Sequence, residues 1–213
     1  MAEAEFLRHL AEALGRPTPP KPAPLPDYRL PPRAVDSLDE AQRLDAFVLA
    51  FEAVNGRFFR AHDWDEATGI VRALLDELAI DEGQAAVWTG PELEPLRRAF
   101  PDLYSGGEAT GIARRELGIT WAHAAIAETG TLALMAGPGN GRATSVLPPA
   151  HLAIFSKNEL VGTMGEVFER LGDQPFRALN FITGPSRTSD IEMDLTIGVH
   201  GPAQVIALYL ETR

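Results

Sequence analysis

Cysteine is absent from all 213 residues. The chain therefore forms no disulfide, offers no thiol nucleophile, and holds no zinc or iron–sulfur cluster through thiolates. Lysine is nearly absent too: only Lys21 and Lys157 occur, and Lys21 lies among prolines. Lysine-based covalent chemistry would fall to Lys157 alone. No apolar run approaches the roughly 18 residues of a membrane span. The N-terminal MAEAEFLRHLAEALGR is acidic and amphipathic, without the apolar centre of a signal peptide. Basic charge is in deficit, with 19 Lys and Arg against 30 Asp and Glu for a formal net charge of −11. That is the wrong sign for non-specific binding to nucleic acid or an anionic membrane. A P-loop and a G-x-G-x-x-G fingerprint are also missing. These absences predict a soluble, cytoplasmic protein that carries no flavin, nicotinamide, cluster or metal.

What is present divides in two. Phe6, Leu7, Leu10 and Leu14 form an apolar stripe at helical spacing. From Pro17 to Pro32, eight of sixteen residues are proline, a density that no helix or central strand tolerates. Residues 1–35 therefore read as an N-terminal helix on a Pro-rich connector, and 36–213 as the main domain. The stripe predicts that the helix packs on a sheet-domain surface, in its own chain or in a homo-oligomer.

In the main domain, Ser37–Glu40 has the form of a capping box opening a helix that stops at Asn55-Gly56. Arg57–His62 suits a short strand, and Asp63 or Asp65 suits the cap of a helix reaching Leu78. Beyond Gly118 come short apolar runs at 122–127, 131–136, 152–155, 179–183 and 204–210, with a helix over 163–171. Buried, non-alternating strands mixed with helices predict a three-layer α/β fold around a mainly parallel sheet.

Polar residues interrupt this pattern at strand ends, where open α/β sheets bind ligands. Glu128-Thr129-Gly130-Thr131 joins two strands too closely for a crossover, which predicts a β-hairpin. Either the segment is turn chemistry alone, or Glu128 projects into a cleft as acid, base or nucleophile. Gly137–Arg142 is a glycine-rich loop that is either a surface turn or an anion cradle completed by Arg142. His151 enters a buried strand behind Pro148-Pro149, as a structural histidine or a catalytic one. Thr183-Gly184-Pro185-Ser186-Arg187-Thr188 combines a Gly-Pro turn, hydroxyls and a guanidinium, the groups that grip a phosphate or carboxylate. Arg187 could instead pair with Asp190 or Glu192; those two and Asp194 would share one face of a strand, as a solvated edge or an Mg²⁺ site. His200 sits in a further tight turn.

Four of these segments, IAETGT (126–131), LPPAH with the strand after it (147–154), ITGPSRTSDIE (182–192) and GVHGP (198–202), resemble in this order the LUD-domain family, in its lactate-utilization protein C branch. The resemblance implies a fold similar to the ribose-phosphate isomerase and CoA-transferase-like superfamily. It also implies a part in oxidising L-lactate to pyruvate beside partner proteins that carry the iron–sulfur clusters, with this chain as a non-redox subunit. On that reading Thr129, Gly130, Thr131 and the 183–188 turn hold a small anion. Glu128-Thr-Gly130 is similar to the Glu-x-Gly of CoA transferases, whose glutamate forms a thioester. The alternative is thus a stand-alone enzyme on a small phosphorylated, carboxylated or acyl-CoA substrate, with Glu128 as base or nucleophile. A purely structural interaction module is the third reading.

Overall fold

The computed structural model describes residues 3–16, 33–172, 176–189, 195–198 and 200–212. Contacts divide the chain into two units, residues 1–32 and 33–213. The first contains helix α1 (Glu3–Ala13), which covers most of the apolar stripe and ends at Gly15 with a positive φ of 64°. Among the described residues, no helix is long and apolar enough to cross a membrane.

The second unit opens on a short 3-10 turn over Ala34–Ser37, so Ser37 is not the helix cap that its sequence context suggested. Asp39 caps α2 (Glu40–Ala53) instead. Its carboxylate accepts from Gln42 N at 2.9 Å, and its own N–H donates to Gln42 Oε1 at 3.0 Å. The box moved because Asp39 and Gln42 satisfy two orphan amides reciprocally, while Ser37 Oγ donates back to Ala34 O. Strand β1 (Arg57–Ala61) follows, then α3 (Trp64–Glu77), capped by Asp63 as expected. The chain continues through β2 (Ala85–Val87), α4 (Glu94–Ala99), α5 (Ala109–Ile112), β3 (Leu117–Trp121), β4 (Ala124–Ile126) and β5 (Thr131–Ala136). It ends with α6 (Ala143–Val146), β6 (Ala150–Ser156), β7 (Leu160–Val161), α7 (Met164–Leu171), β8 (Ala178–Ile182), β9 (Arg187–Ser189), β10 (Leu195–Ile197) and β11 (Gln204–Leu210).

Five strands form an entirely parallel sheet in the order β1-β11-β6-β3-β2. Helix α3 lies along β1 and β11, and α2 covers the face that carries Phe58 and Phe155, with Phe47 in edge contact with both rings. On the same face, α6 approaches β3 so closely that a Cβ at Gly118 would lie 1.8 Å from Thr144 O. Helices on both faces of the parallel sheet give the three-layer α/β fold.

A second sheet, in the order β7-β4-β5-β8, was not foreseen. It arises because two neighbours in the first sheet keep pairing after they leave it. β3 passes through Ala122, whose N–H donates to Ile154 O, into β4. β6 passes through a short 3-10 turn into β7, and β4 and β7 remain parallel partners. The expected hairpin is present as antiparallel β4 and β5, and β5 then pairs antiparallel with β8.

Candidate functional site

Two of the motif turns meet on the last turns of α2. Gly130 has φ 60°, and a Cβ there would lie 2.3 Å from Phe51 N and 2.7 Å from the Ala50 carbonyl carbon. Gly184 has φ 77°, and its Cβ would lie 2.8 Å from Val54 O. Both turns thus need glycine twice over, for the left-handed backbone and for the close approach to the helix.

This shared footing joins hydroxyls from distant parts of the sequence. Thr131 Oγ1 stands 2.7 Å from Thr129 Oγ1 and 2.7 Å from Thr183 Oγ1, the latter 52 residues away in the chain. Thr131 is buried, whereas Thr129 and Thr183 are exposed, so both ends of the hydroxyl chain reach solvent. Arg187 is also exposed, and its Nη2 donates to Val54 O at 2.6 Å. A guanidinium on the carbonyl end of a helix is favourably placed against the helix dipole. The Ser186 amide, in the turn expected to hold the anion, donates to Pro202 O at 2.9 Å. Gly184 and Pro185 are buried, and Thr188 pairs through its backbone with Thr196 in the β9–β10 ribbon. Asp190, Glu192 and Asp194 lie outside the described residues.

The location departs from the rule for open α/β sheets. Val54 ends α2 three residues before β1, and Pro202 lies two residues before β11. The cluster therefore sits beside the amino ends of the parallel strands, not their carboxyl ends. The physical reason is the second sheet: β5 and β8 are antiparallel to each other, so the start of β5 and the end of β8 share one end, and the turns at that end rest on the C-terminus of α2.

Glu128 extends the β4–β7 pairing through its N–H to Gly162 O at 3.0 Å, and its carboxylate meets Arg33 Nη1 at 2.5 Å. Both side chains are about one-third exposed, at 34% each. Arg33 lies 95 residues upstream in no motif, and no local signal in the sequence pairs it with Glu128. Exposed pairs of this kind contribute about 0–1 kcal/mol. Arg33→Ala is accordingly expected to change the urea unfolding free energy by less than about 1 kcal/mol; a loss of several would show that the pair holds the 3-10 turn in place. Glu128 also lines an apolar trough of about 380 Å³ with Val35, Leu38, Ala46, Ala50 and Ala53.

The remaining candidates do not join this cluster. His151 is fully buried at the start of β6, with Nε2 2.9 Å from Thr120 Oγ1 and Nδ1 without a hydrogen-bond partner. Burial pushes its pKa from 6.5 down to about 3, so it stays neutral. Sealed in the sheet, it lacks the access to substrate that a catalytic histidine needs. The Gly137–Arg142 loop is a tight turn that presents carbonyls inward: Gly139 O accepts from Thr89 N–H, and Gly141 O from Trp88 Nε1. That is the opposite polarity to an anion cradle, and Arg142 is exposed at the entrance to α6. His200 is exposed and lines a separate recess with Leu147 and Pro149. Among the described residues, no group of three His, Asp or Glu side chains is arranged to hold a metal ion.

Residues 44–209 match the protein family described as LUD domain. A protein named Lactate utilization protein C, from Halalkalibacterium halodurans, is 29% identical over 98% of this chain and 97% of its own length. The protein of that name from Oceanobacillus iheyensis is 27% identical over 97% of each chain. The uncharacterized protein YkgG of Escherichia coli is 28% identical, again over 97% of each. Among solved structures, a DUF162 family protein from Deinococcus radiodurans superposes with a TM-score of 0.59 at 20% identity, covering 81% of this chain and 99% of that one. At that identity the likeness concerns the fold.

Proposed function

Because this chain belongs to the LUD-domain family, we propose that it serves lactate utilization as a subunit without a redox centre of its own. It binds a small carboxylate at Thr129, Thr183 and Arg187, with the buried Thr131 hydroxyl bridging the two threonines, and works beside an iron–sulfur partner protein. The observation that carries this reading is the hydroxyl chain, two 2.7 Å contacts that bring two of the four motifs together at the end of α2, which the Arg187 guanidinium also reaches. Hydroxyls and guanidinium N–H groups donate to carboxylate oxygens. A net charge of −11 repels a small acid, and Arg187 supplies the local attraction that the molecule as a whole lacks. The names of the relatives support the lactate connection, and the absence of cysteine suits a division of labour in which the partner holds the clusters.

Calorimetric titration with L-lactate and pyruvate tests the site, with inorganic phosphate and coenzyme A as competing ligand classes. Saturable binding of an acid is expected; no binding of either acid would remove the reading. The redox assignment has its own check. The purified chain is expected to show no stoichiometric visible absorbance and no lactate-dependent dye reduction on its own, both appearing only with the partner. Dye reduction by the chain alone would overturn it.

One observation favours the enzyme reading as the alternative: Glu128 stands partly exposed at the rim of the apolar trough, where an acyl group could meet it. On that reading Glu128→Gln folds normally and abolishes turnover of an acyl-CoA or small carboxylate substrate. On the subunit reading there is no turnover by this chain to lose.

A further inference from the structure

The apolar trough and the hydroxyl cluster are adjoining parts of one surface. Ala50 and Ala53 line the trough, and the backbone of the same helical turns carries Gly130 and Gly184. Glu128 lines the trough, and the next residue, Thr129, begins the hydroxyl chain. The trough wall contributed by α2 is small or aliphatic, with Ala46, Leu49, Ala50 and Ala53, and Val35 and Leu38 add to the lining. Among the described lining residues, Glu128 has the polar side chain, and its carboxylate is paired with Arg33. Leu49, on this wall, is 75% exposed.

We propose that the trough is a second subsite for the apolar tail of the same acid, so that the site prefers 2-hydroxy acids with longer side chains over lactate. This rests on the anion site proposed above. The carboxylate of such an acid lies at Thr129, Thr183 and Arg187, and its alkyl chain runs along α2 over Ala50 and Ala46. The charges are consistent with that orientation. Arg187 provides a cation at the hydroxyl end, with no carboxylate paired to it among the described residues, while the trough beyond Glu128 offers an alkyl chain aliphatic walls. Lactate, whose side chain is a single methyl group, would leave a volume of about 380 Å³ unfilled. Each buried methylene of a longer acid would raise affinity about two- to fourfold.

The test is a titration series of L-lactate, 2-hydroxybutanoate, 2-hydroxyhexanoate and 2-hydroxyoctanoate, below their aggregation limits, with 1-hexanol as the uncharged control. Affinity is expected to rise along the series, and hexanol to bind far more weakly than 2-hydroxyhexanoate. Ala46→Phe fills the trough, and Leu49→Asp places a like charge on its wall at an exposed position. Each is expected to bring 2-hydroxyoctanoate down towards the affinity of lactate. Arg187→Ala is expected to weaken every member by a similar factor. Equal affinity for all four acids would overturn the trough while leaving the anion site standing, as would a rise with length that neither trough variant reduces. Failure of every acid to bind would overturn both.

Discussion

Replacing Arg187 with alanine is expected to weaken L-lactate binding ten- to hundredfold. Hydrogen bonds to a charged partner contribute roughly 1.5–3 kcal/mol, and each 1.4 kcal/mol is about a factor of ten in affinity. The same side chain does a second job, because its Nη2 bond to Val54 O closes the C-terminus of α2. Loss of that bond is expected to lower unfolding stability by about 1 kcal/mol, a modest change beside the binding loss. Arg187→Lys separates the two roles. It keeps the charge but loses the planar fork, so it cannot hold a carboxylate with two parallel bonds while also reaching Val54 O. Binding measured by calorimetry and stability by urea unfolding should therefore divide. The alanine variant loses both, and the lysine variant recovers part of the electrostatic attraction without the two-point grip. If alanine lowers stability and leaves lactate affinity unchanged, Arg187 is a helix cap and not a ligand-binding residue.

Acid is expected to unfold the main domain well before its carboxylates alone would require, because of His151. In the folded chain His151 is fully buried with its pKa pushed down to about 3, against 6.5 for an exposed histidine. Between those values the unfolded chain takes up a proton that the folded chain refuses. The contribution is therefore complete above about pH 6.5 and is lost progressively as pH falls towards 3. A shift of that size corresponds to at most on the order of 5 kcal/mol, a large share of the stability of a domain this size. Chemical denaturation at a series of pH values between 7 and 4 would show it. The double change His151→Leu with Thr120→Val removes both hydrogen-bond partners together, so neither is left buried and unsatisfied. Its stability is expected to fall much less steeply across the same window. An unchanged slope in the double variant would place the acid sensitivity elsewhere.

How far the site could be read in advance differed from residue to residue. Gly130 and Gly184 were visible as turn glycines because a left-handed backbone leaves a local trace in the choice of residue. Thr131 and Thr183 were visible as polar interruptions at strand ends, but their 2.7 Å contact depends on β5 pairing with β8 across 52 residues. Arg33 left no trace at all, since a partner 95 residues away is chosen by how the 3-10 turn lies against the β4–β7 end. His151 looked like a possible catalyst because the chemistry of a side chain is legible in sequence, whereas its solvent access is not.

By itself the sequence determined the elements whose signals are contained within a few residues. The apolar runs at 131–136 and 204–210 are the strands β5 and β11, the cap of α3 is one of the two candidates Asp63 and Asp65, and Glu128–Gly130 is the turn of a hairpin. It also determined the absence of thiol chemistry and the need for a local cation at any site for an acid. Tertiary structure alone decided that β3 and β6 run on into a second sheet, that two motif turns share the end of α2, and that the cluster lies by the amino ends of the parallel strands. Periodicity, capping and turn chemistry act over one helical turn or one pleat and are written locally. Sheet continuation and the docking of turns on a helix depend on register and close backbone approach between distant segments, which only the packed chain specifies.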